Sequence, residues 1–421
     1  MKNKQFEEFI KKGIECKIDK NNPDSFNFSL IKGKGKIEFI SDVSKSKIIA
    51  DSGLLDYKLI DGYEAIFSQR LGIIECQLGN FYEYEYESLC ESLTNYKLEF
   101  NLNEEQTSEP PLYLSFKNNF NVKISIGYYS KPFKKLLELK HDEYEFKRQN
   151  KLTIKISLNK LKKHDEAKKV LEEIGNSALF EININYQTSI TLQQDKPNTK
   201  RNNFEYIIDK EMALAIDNDL DDLQIIYPSE PTSYFLKANI MHDLKFYQFL
   251  LFYHCLEYYF PQYSYLYLKD PIDKVLKGNS NNNIKKNGVV NEILDVIRNK
   301  SKVEREEDVL KVLINCSFDE SIEDINFYIN NQDRLKEYFI TSTEYNAISK
   351  KPIYGSDKII SLDKIALRIY DIRCAIVHKK NDPKKDKLYP NLRTFELIKH
   401  DNELLKYIAE NIIKKHAIQI D

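Results

Sequence analysis

The spacing of apolar residues changes along the chain, and this change limits the fold more than any other feature of the sequence. In the first half, apolar and polar residues alternate over short stretches, as in half-buried β-strands. The alternation is seen in residues 82–87, 96–102, 122–126, 153–158 and 180–184. Residues 159–175 have helical spacing instead, and Gly175 is typical of a helix end. The first half is therefore predicted to be β-rich, with one crossover helix.

Beyond about residue 235 the apolar residues recur with a helical period. An aromatic-rich helix is predicted for residues 244–260, and Pro261 is expected to end it. Further helices are predicted at residues 288–300, 303–315, 320–341, 361–378 and 392–417. The predicted fold class is α+β. A β-rich domain spans residues 1–235 and an all-α bundle spans residues 236–421.

Composition excludes several classes of protein. The 63 basic and 65 acidic residues nearly balance, so overall charge favours neither a nucleic-acid binder nor a membrane binder. No apolar run is long enough to span a membrane, and the charged N-terminal stretch does not resemble a secretory signal, so a cytoplasmic protein is expected. The six cysteines form no C-x-x-C pair. No phosphate-binding loop or dinucleotide fingerprint is present, and neither a metal nor a cofactor is predicted.

The predicted helix at residues 361–378 carries two residues that stand out from its apolar face. The stripe that makes this face consists of Ile365, Ile369, Ile372 and Ile376. Arg373 lies beside the stripe, and His378 follows about 140° further round and about 7.5 Å along the axis. Both side chains can converge on one ligand only if the helix ends near His378 or a groove spans the two residues. The segment at residues 379–383, which closes with Pro383, favours such an end.

A second arginine–histidine pair shows that the spacing alone is weak evidence. Arg393 and His400 lie inside an ordinary amphipathic pattern, and we interpret that pair as a coincidence. The first pair differs in context, because its helix follows an aromatic helix and opens into a basic segment.

That context resembles the HEPN domain family. The stretch "YDIRCAIVHKK", preceded by the aromatic "FLLFYHCLEYYF", is similar to the family's R-x4-6-H signature near the end of a helical bundle. The resemblance covers about residues 236–421. It implies a metal-independent endoribonuclease of a toxin, abortive-infection or antiviral-defence system, with an active site formed across a homodimer. It implies catalytic roles for Arg373 and His378. The residue after the arginine is usually polar in the family and is Cys374 here.

The chemistry of RNA cleavage agrees with these residue types. Without a metal, the ribose 2′-OH is the nucleophile, and the reaction needs a general base, a general acid and a cation for the phosphate. Histidine transfers protons near neutral pH, and arginine binds phosphate oxygens through paired N–H groups. One histidine cannot be acid and base in the same step, so two copies of the chain would supply both groups.

The aromatic helix supplies candidates that support the site. His254 and Glu257, three apart, share a face, as do Tyr253 and Glu257, four apart. The matching helix of the HEPN family often carries a polar residue, frequently glutamate, near the arginine. The resemblance therefore implies that Glu257 orients Arg373, with Tyr253 and Cys374 as further supporting residues. The alternative is a glutamate that only lies at the edge of the bundle.

A basic segment surrounds the motif. Residues 364–393 hold nine basic residues against three acidic ones, a pattern that attracts a phosphate backbone. The predicted RNA-binding residues are Lys364, Arg368, Lys379, Lys380, Lys384 and Lys385. The alternative is a solvated loop with incidental lysines.

Three hypotheses follow from the sequence. The first is a HEPN ribonuclease whose β-rich domain senses a trigger or binds a regulatory protein. The second is a non-catalytic HEPN scaffold that binds a nucleotide or a protein. The third is a two-domain interaction protein in which both arginine–histidine pairs arise by chance.

Overall fold

The structure is a computed structural model of the chain, and it divides into two compact units. The first contains residues 1–229 and 418–421, and the second contains residues 230–417. The predicted boundary at residue 235 lies inside a helix, Ser229–Ile240. The structure describes residues 14–18, 26–32, 35–41, 56–80, 86, 112–115, 122–140, 144, 146, 151–158, 164–186, 188–195, 225–279, 289–291, 293–294, 306–318, 321–340, 349, 352–354, 359–377 and 392–419.

The described part of the first unit is built on antiparallel sheets. One has three strands in sequence order, β1 (Ile14–Ile18), β2 (Phe26–Lys32) and β3 (Gly35–Ser41). A larger sheet has the order β4-β5-β6-β9-β8-β7, with β10 paired to β6. Its strands are β4 (Lys58–Leu59), β5 (Ala65–Ser68), β6 (Ile73–Gly79), β7 (Leu112–Ser115), β8 (Lys123–Tyr128), β9 (Leu152–Ser157) and β10 (Thr191–Leu192). A further pair joins β11 (Ile225–Ile226) to β12 (Ile418–Gln419).

The register of the larger sheet aligns apolar side chains across its central strands. Ile74, Ile156 and Ile124 are opposite one another on β6, β9 and β8, and all three are buried. Burying such rows stabilises the sheet by removing apolar surface from water. Helix α1 (Lys131–Lys140) buries Phe133, Leu136 and Leu137.

The crossover helix is longer than the sequence predicts. It runs through α2 (His164–Val170), a π-helical turn at Leu171–Gly175 and α3 (Asn176–Tyr186). The prediction of a strand at residues 180–184 is therefore wrong. Five alternating residues do not distinguish a strand from a helix that is buried on most sides, and α3 is buried in that way. Tyr86, from the predicted strand at residues 82–87, is also helical, and residues 96–102 lie outside the described residues.

The second unit is mostly helical, so the predicted α+β class holds for the part of the chain that the structure describes. Its helices are α4 (Ser229–Ile240), α5 (Lys245–Glu257), α6 (Phe260–Asn279), α7 (Glu306–Phe318), α8 (Ile322–Asn330), α9 (Asp333–Ile340), α10 (Leu362–Val377) and α11 (Leu392–Lys415). Pro261 does not end the aromatic helix. It lies in the first turn of α6, where a missing N–H does no harm. None of the described helices could span a membrane.

The core of the second unit forms where α5 packs on α11 and where α10 packs on α7. Seven residues of α5 are buried, among them Phe249, Phe252 and Tyr253. The predicted stripe on α10 is present, with Ile365, Ile369 and Ile372 buried. These contacts fix how α5, α7 and α10 face one another.

A buried ion pair joins α10 to α11. Arg368, 1% exposed, donates from Nε to Asp401 Oδ1 at 2.6 Å and from Nη2 to Oδ2 at 3.0 Å. Tyr338 donates its hydroxyl to the same carboxylate at 2.7 Å, and the guanidinium also donates to the backbone oxygen of Ser349 at 3.0 Å. Burial opposes the charge of Arg368, but Asp401 outweighs burial, and the net pKa of the guanidinium is raised.

We expect Arg368→Met to lower the free energy of unfolding by about 3–5 kcal/mol, because it leaves the Asp401 carboxylate buried without its partner. Chemical denaturation of the full chain measures this loss. Arg334→Met is the matched control, since Arg334 pairs with Glu403 at the surface and its loss costs about 1 kcal/mol or less. Equal losses in the two variants would contradict the prediction.

Candidate active site

Three helices of the second unit bring a charged cluster together around Arg373. The arginine projects from α10, and its Nη2 lies 3.0 Å from Glu306 Oε1 and 3.6 Å from Glu257 Oε1. Glu257 is the last residue of α5, and Glu306 is the first residue of α7, where a helix N-terminus favours negative charge. The Arg373 side chain is 18% exposed, so the cluster reaches the surface. The predicted pairing of Glu257 with Arg373 is thus present as an ion pair, and its role in catalysis stays a prediction.

Arg373 and Glu306 of this cluster both contact Tyr253. Its ring is buried, and the Arg373 guanidinium lies 5.6 Å from the ring centroid, within range of a cation–π contact. Its hydroxyl donates to Glu306 Oε1 at 2.7 Å. Burial and the neighbouring Glu306 raise the pKa of Tyr253, so the phenol stays protonated and acts as a donor. Tyr253 therefore contacts both members of the ion pair, Glu306 through a hydrogen bond and Arg373 through its ring.

His254 extends the cluster along α5. Its Nδ1 makes a short contact with Glu257 Oε2, and its ring lies 5.5 Å from the ring of Tyr234 on α4. The His254 side chain is 44% exposed. The sequence shows the three-residue spacing of His254 and Glu257, but it does not show that Glu257 contacts both His254 and Arg373. That shared contact depends on the packing of α5 against α10.

Glu257 is held as a carboxylate. Burial raises the pKa of Glu257, but the hydrogen bond from His254, the neighbouring Glu306 and the charge of Arg373 together lower it by more, so the net pKa lies below its usual value. Glu257 therefore contacts three charged or ionisable side chains at once. It is the centre of the cluster, because one of its oxygens faces the imidazole and the other faces the guanidinium.

Cys374 lies close to two neighbours on its own helix, Tyr370 one turn earlier and the adjacent Arg373. Burial and the neighbouring Cys374 raise the pKa of Tyr370 to about 12. Cys374 therefore adjoins the arginine cluster, and its contribution to catalysis stays a prediction.

His378, the second residue of the predicted catalytic pair, lies outside the described residues. Helix α10 ends at Val377, and His378 follows directly. Whether His378 converges with Arg373 is therefore still a prediction. The predicted RNA-binding residues Lys379, Lys380, Lys384 and Lys385 also lie outside the described residues.

The prediction that Arg368 binds RNA is wrong. Its guanidinium is buried and bonded to Asp401, so it does not reach a ligand at the surface. Arg368 was counted with the basic residues of the segment because of its charge. Only the packing of the helices shows that its side chain is buried. Lys364 is partly buried and donates from Nζ to the backbone oxygen of Tyr354 at 2.8 Å, so part of its hydrogen-bonding capacity serves the fold.

The second arginine–histidine pair lies in a different environment. The His400 ring packs 4.5 Å from the ring of Tyr338, and burial lowers the pKa of this histidine. Charged side chains also act on this histidine, Glu403 and Asp401 raising its pKa and Arg334 lowering it, but its buried Nδ1 has no hydrogen-bond partner among the described residues. This packing agrees with our interpretation of the pair as a coincidence.

Among the described residues, no group of three or more histidine, cysteine, aspartate or glutamate side chains is placed to hold a metal ion. Comparisons with protein-family models, curated proteins and solved structures find no match to this chain. The chemical interpretation of the cluster therefore rests on its own geometry.

The contacts of Glu257 predict a pH dependence of stability. Its pKa is lower in the folded chain than in the unfolded chain, where it is about 4.3. The stability that Glu257 contributes is therefore present above pH 4.3 and is lost as the pH falls through the folded pKa. Glu257→Gln should be less stable than the native chain at pH 7, and the two should converge below pH 4.

Denaturation at several pH values measures this convergence. Glu323→Gln on α8 is the matched control, because Glu323 is exposed. A Glu257→Gln deficit that stays constant from pH 7 to pH 3 would contradict the prediction.

Proposed function

We propose that the chain is a metal-independent endoribonuclease of the HEPN type, acting as a toxin or antiviral-defence effector. The observation that carries the proposal is the position of Arg373. It lies partly exposed in a cluster drawn from three helices, and its helix leads directly into His378. Arginine held in this way is suited to bind a phosphate that changes charge during reaction.

The reaction uses the RNA itself as nucleophile. The ribose 2′-oxygen attacks the adjacent phosphorus while a base removes its proton, and the bond from phosphorus to the 5′-oxygen breaks as an acid protonates that oxygen. The products are a 2′,3′-cyclic phosphate and a 5′-hydroxyl end. Arg373 binds the non-bridging oxygens, and Glu257 and Glu306 orient its guanidinium. His378 supplies one of the two proton transfers.

A homodimer is one source of the second proton-transfer group, since a symmetric pair of sites brings two copies of His378 together. The first unit, with its antiparallel sheets, is then the part that senses a trigger or binds a regulatory protein. Both statements are part of the proposal.

A non-catalytic scaffold is the second candidate, and one observation favours it. Arg373 faces two carboxylates, Glu257 and Glu306, which offset its positive charge. A phosphate must share or displace these partners, which weakens its binding. In this alternative the same cluster holds the helices together, and the bundle binds a nucleotide or a protein.

RNA cleavage in EDTA distinguishes the two candidates. We expect the native chain to cut an unstructured RNA oligonucleotide and to leave 2′,3′-cyclic phosphate ends, while an all-deoxy oligonucleotide stays intact because it lacks the 2′-hydroxyl. His378→Ala and Arg373→Ala should each lower kcat/KM by about a hundredfold or more. Arg334→Ala, which removes a surface arginine on α9, is the control and should cleave like the native chain.

Two results would contradict the proposed activity. One is a native chain that does not cut RNA under any of these conditions. The other is cleavage that survives in both His378→Ala and Arg373→Ala, which would place the chemistry elsewhere or in a contaminant. Circular dichroism of each variant separates loss of activity from loss of fold.

A toxin function predicts an effect on cells. Expression of the native chain should slow bacterial growth, because a nuclease that cuts cellular RNA stops protein synthesis. His378→Ala, expressed to the same level, should relieve the effect. Growth curves with matched immunoblots measure this, and equal inhibition by both chains would exclude RNA cleavage as its cause.

A further inference from the structure

His254 has the geometry of a proton-transfer residue that the sequence motif does not include. Its Nδ1 faces Glu257 Oε2, and nearly half of its side chain is exposed. A carboxylate at Nδ1 keeps the proton on that nitrogen and leaves Nε2 as a proton acceptor. Carboxylate–histidine pairs of this kind orient and strengthen the imidazole base in many enzymes.

Glu257 connects this histidine to the arginine. One oxygen of the carboxylate contacts His254, and the other lies 3.6 Å from Arg373 Nη2. The imidazole and the guanidinium are therefore held on either side of a single carboxylate. For His254 to act on RNA, the ribose that adjoins a phosphate at Arg373 must present its 2′-hydroxyl to Nε2.

A purely structural role explains the position of His254 less well. Histidines that serve packing in this unit are enclosed by rings and backbone, as His416 is by the rings of Tyr259 and Tyr263 and by the backbone oxygen of Ile412. His254 instead has one face on Tyr234 and its edge toward Glu257 and the surface. The charged groups of this neighbourhood are Glu257 on α5, Glu306 on α7 and Arg373 on α10.

We infer that His254 is the general base of the candidate active site and that Glu257 positions it. This inference rests on the proposed ribonuclease function. His254 Nε2 accepts the proton of the 2′-hydroxyl as the bond from the 2′-oxygen to phosphorus forms. The His378 imidazolium donates a proton to the 5′-oxygen as its bond to phosphorus breaks. The acid and the base are then two different residues, so one copy of the chain can supply both, and the chemistry does not require two copies of one histidine.

The test uses two RNA substrates in EDTA with the full-length chain. One has an ordinary linkage, and the other has sulfur in place of the 5′-bridging oxygen, which leaves as a thiolate without an acid. We expect His254→Ala to lower kcat/KM at least about a hundredfold on both substrates, since both need the base. His378→Ala should lose activity on the ordinary linkage and regain most of it on the sulfur linkage.

Two further variants complete the design. His242→Ala is the matched control, because His242 is an exposed histidine that precedes the N-terminus of α5 and should not affect cleavage. Glu257→Gln should lose less activity than His254→Ala, because it disturbs the orientation of the imidazole but keeps the base. An activity of Glu257→Gln equal to that of the native chain would contradict the positioning role.

The outcomes separate this inference from the proposed function. If His378→Ala is inactive and His254→Ala cleaves within about twofold of the native chain, His254 is not the base, and the ribonuclease function stands. If neither substrate is cut by the native chain, both proposals fail.

Mixing the two variants decides whether the site belongs to one copy of the chain. Equal amounts of His254→Ala and His378→Ala should remain inactive together, because each copy lacks one group. Recovery of activity on mixing would show that the histidines act across a dimer, and it would overturn the single-chain site.

Discussion

The buried pair of Arg368 and Asp401 leaves α10 little freedom to rotate or slide against α11. A bidentate pair of planar groups tolerates little displacement, and breaking it would leave a buried charge. Arg373 is five residues further along the same helix, about 140° round and about 7.5 Å along the axis. Fixing Arg368 in the core therefore determines which side of α10 presents Arg373 to α5 and α7.

Elements with long and regular apolar spacing were the most predictable from the sequence. Residues 361–378 were predicted as a helix and form one at Leu362–Val377, because four isoleucines mark a continuous face. Residues 180–184 were mistaken for a strand because α3 is buried on most of its surface and has no polar face to reveal its period.

Prediction of the site from the sequence was limited in a similar way. The family resemblance anticipated the pairing of Glu257 with Arg373, but the burial of Arg368 and the position of Glu306 depend on packing between segments far apart in sequence.

The charges of the cluster differ from those of a simple phosphate-binding patch, because two carboxylates lie beside one arginine. Arg373 is the only cation in direct contact with Glu257 and Glu306 among the ion pairs of the described residues, unless His254 is protonated. Phosphate binding is then opposed by the two carboxylates and favoured by any added positive charge. A proton taken up by His254 supplies such a charge next to Glu257. Proton transfer to His254 and stabilisation of a phosphate at Arg373 therefore support each other.

The surroundings of the arginine–histidine motif, and not its spacing, support the proposed function. An arginine and a histidine a few residues apart occur twice in this chain, at Arg373 and at Arg393. Near His400 the structure shows packing against Tyr338, whereas Arg373 is met by side chains from two other helices. Chance alone accounts for the spacing of a pair. A carboxylate that contacts both a guanidinium and a half-exposed imidazole is instead an arrangement that active sites use to set the orientation and charge of both groups.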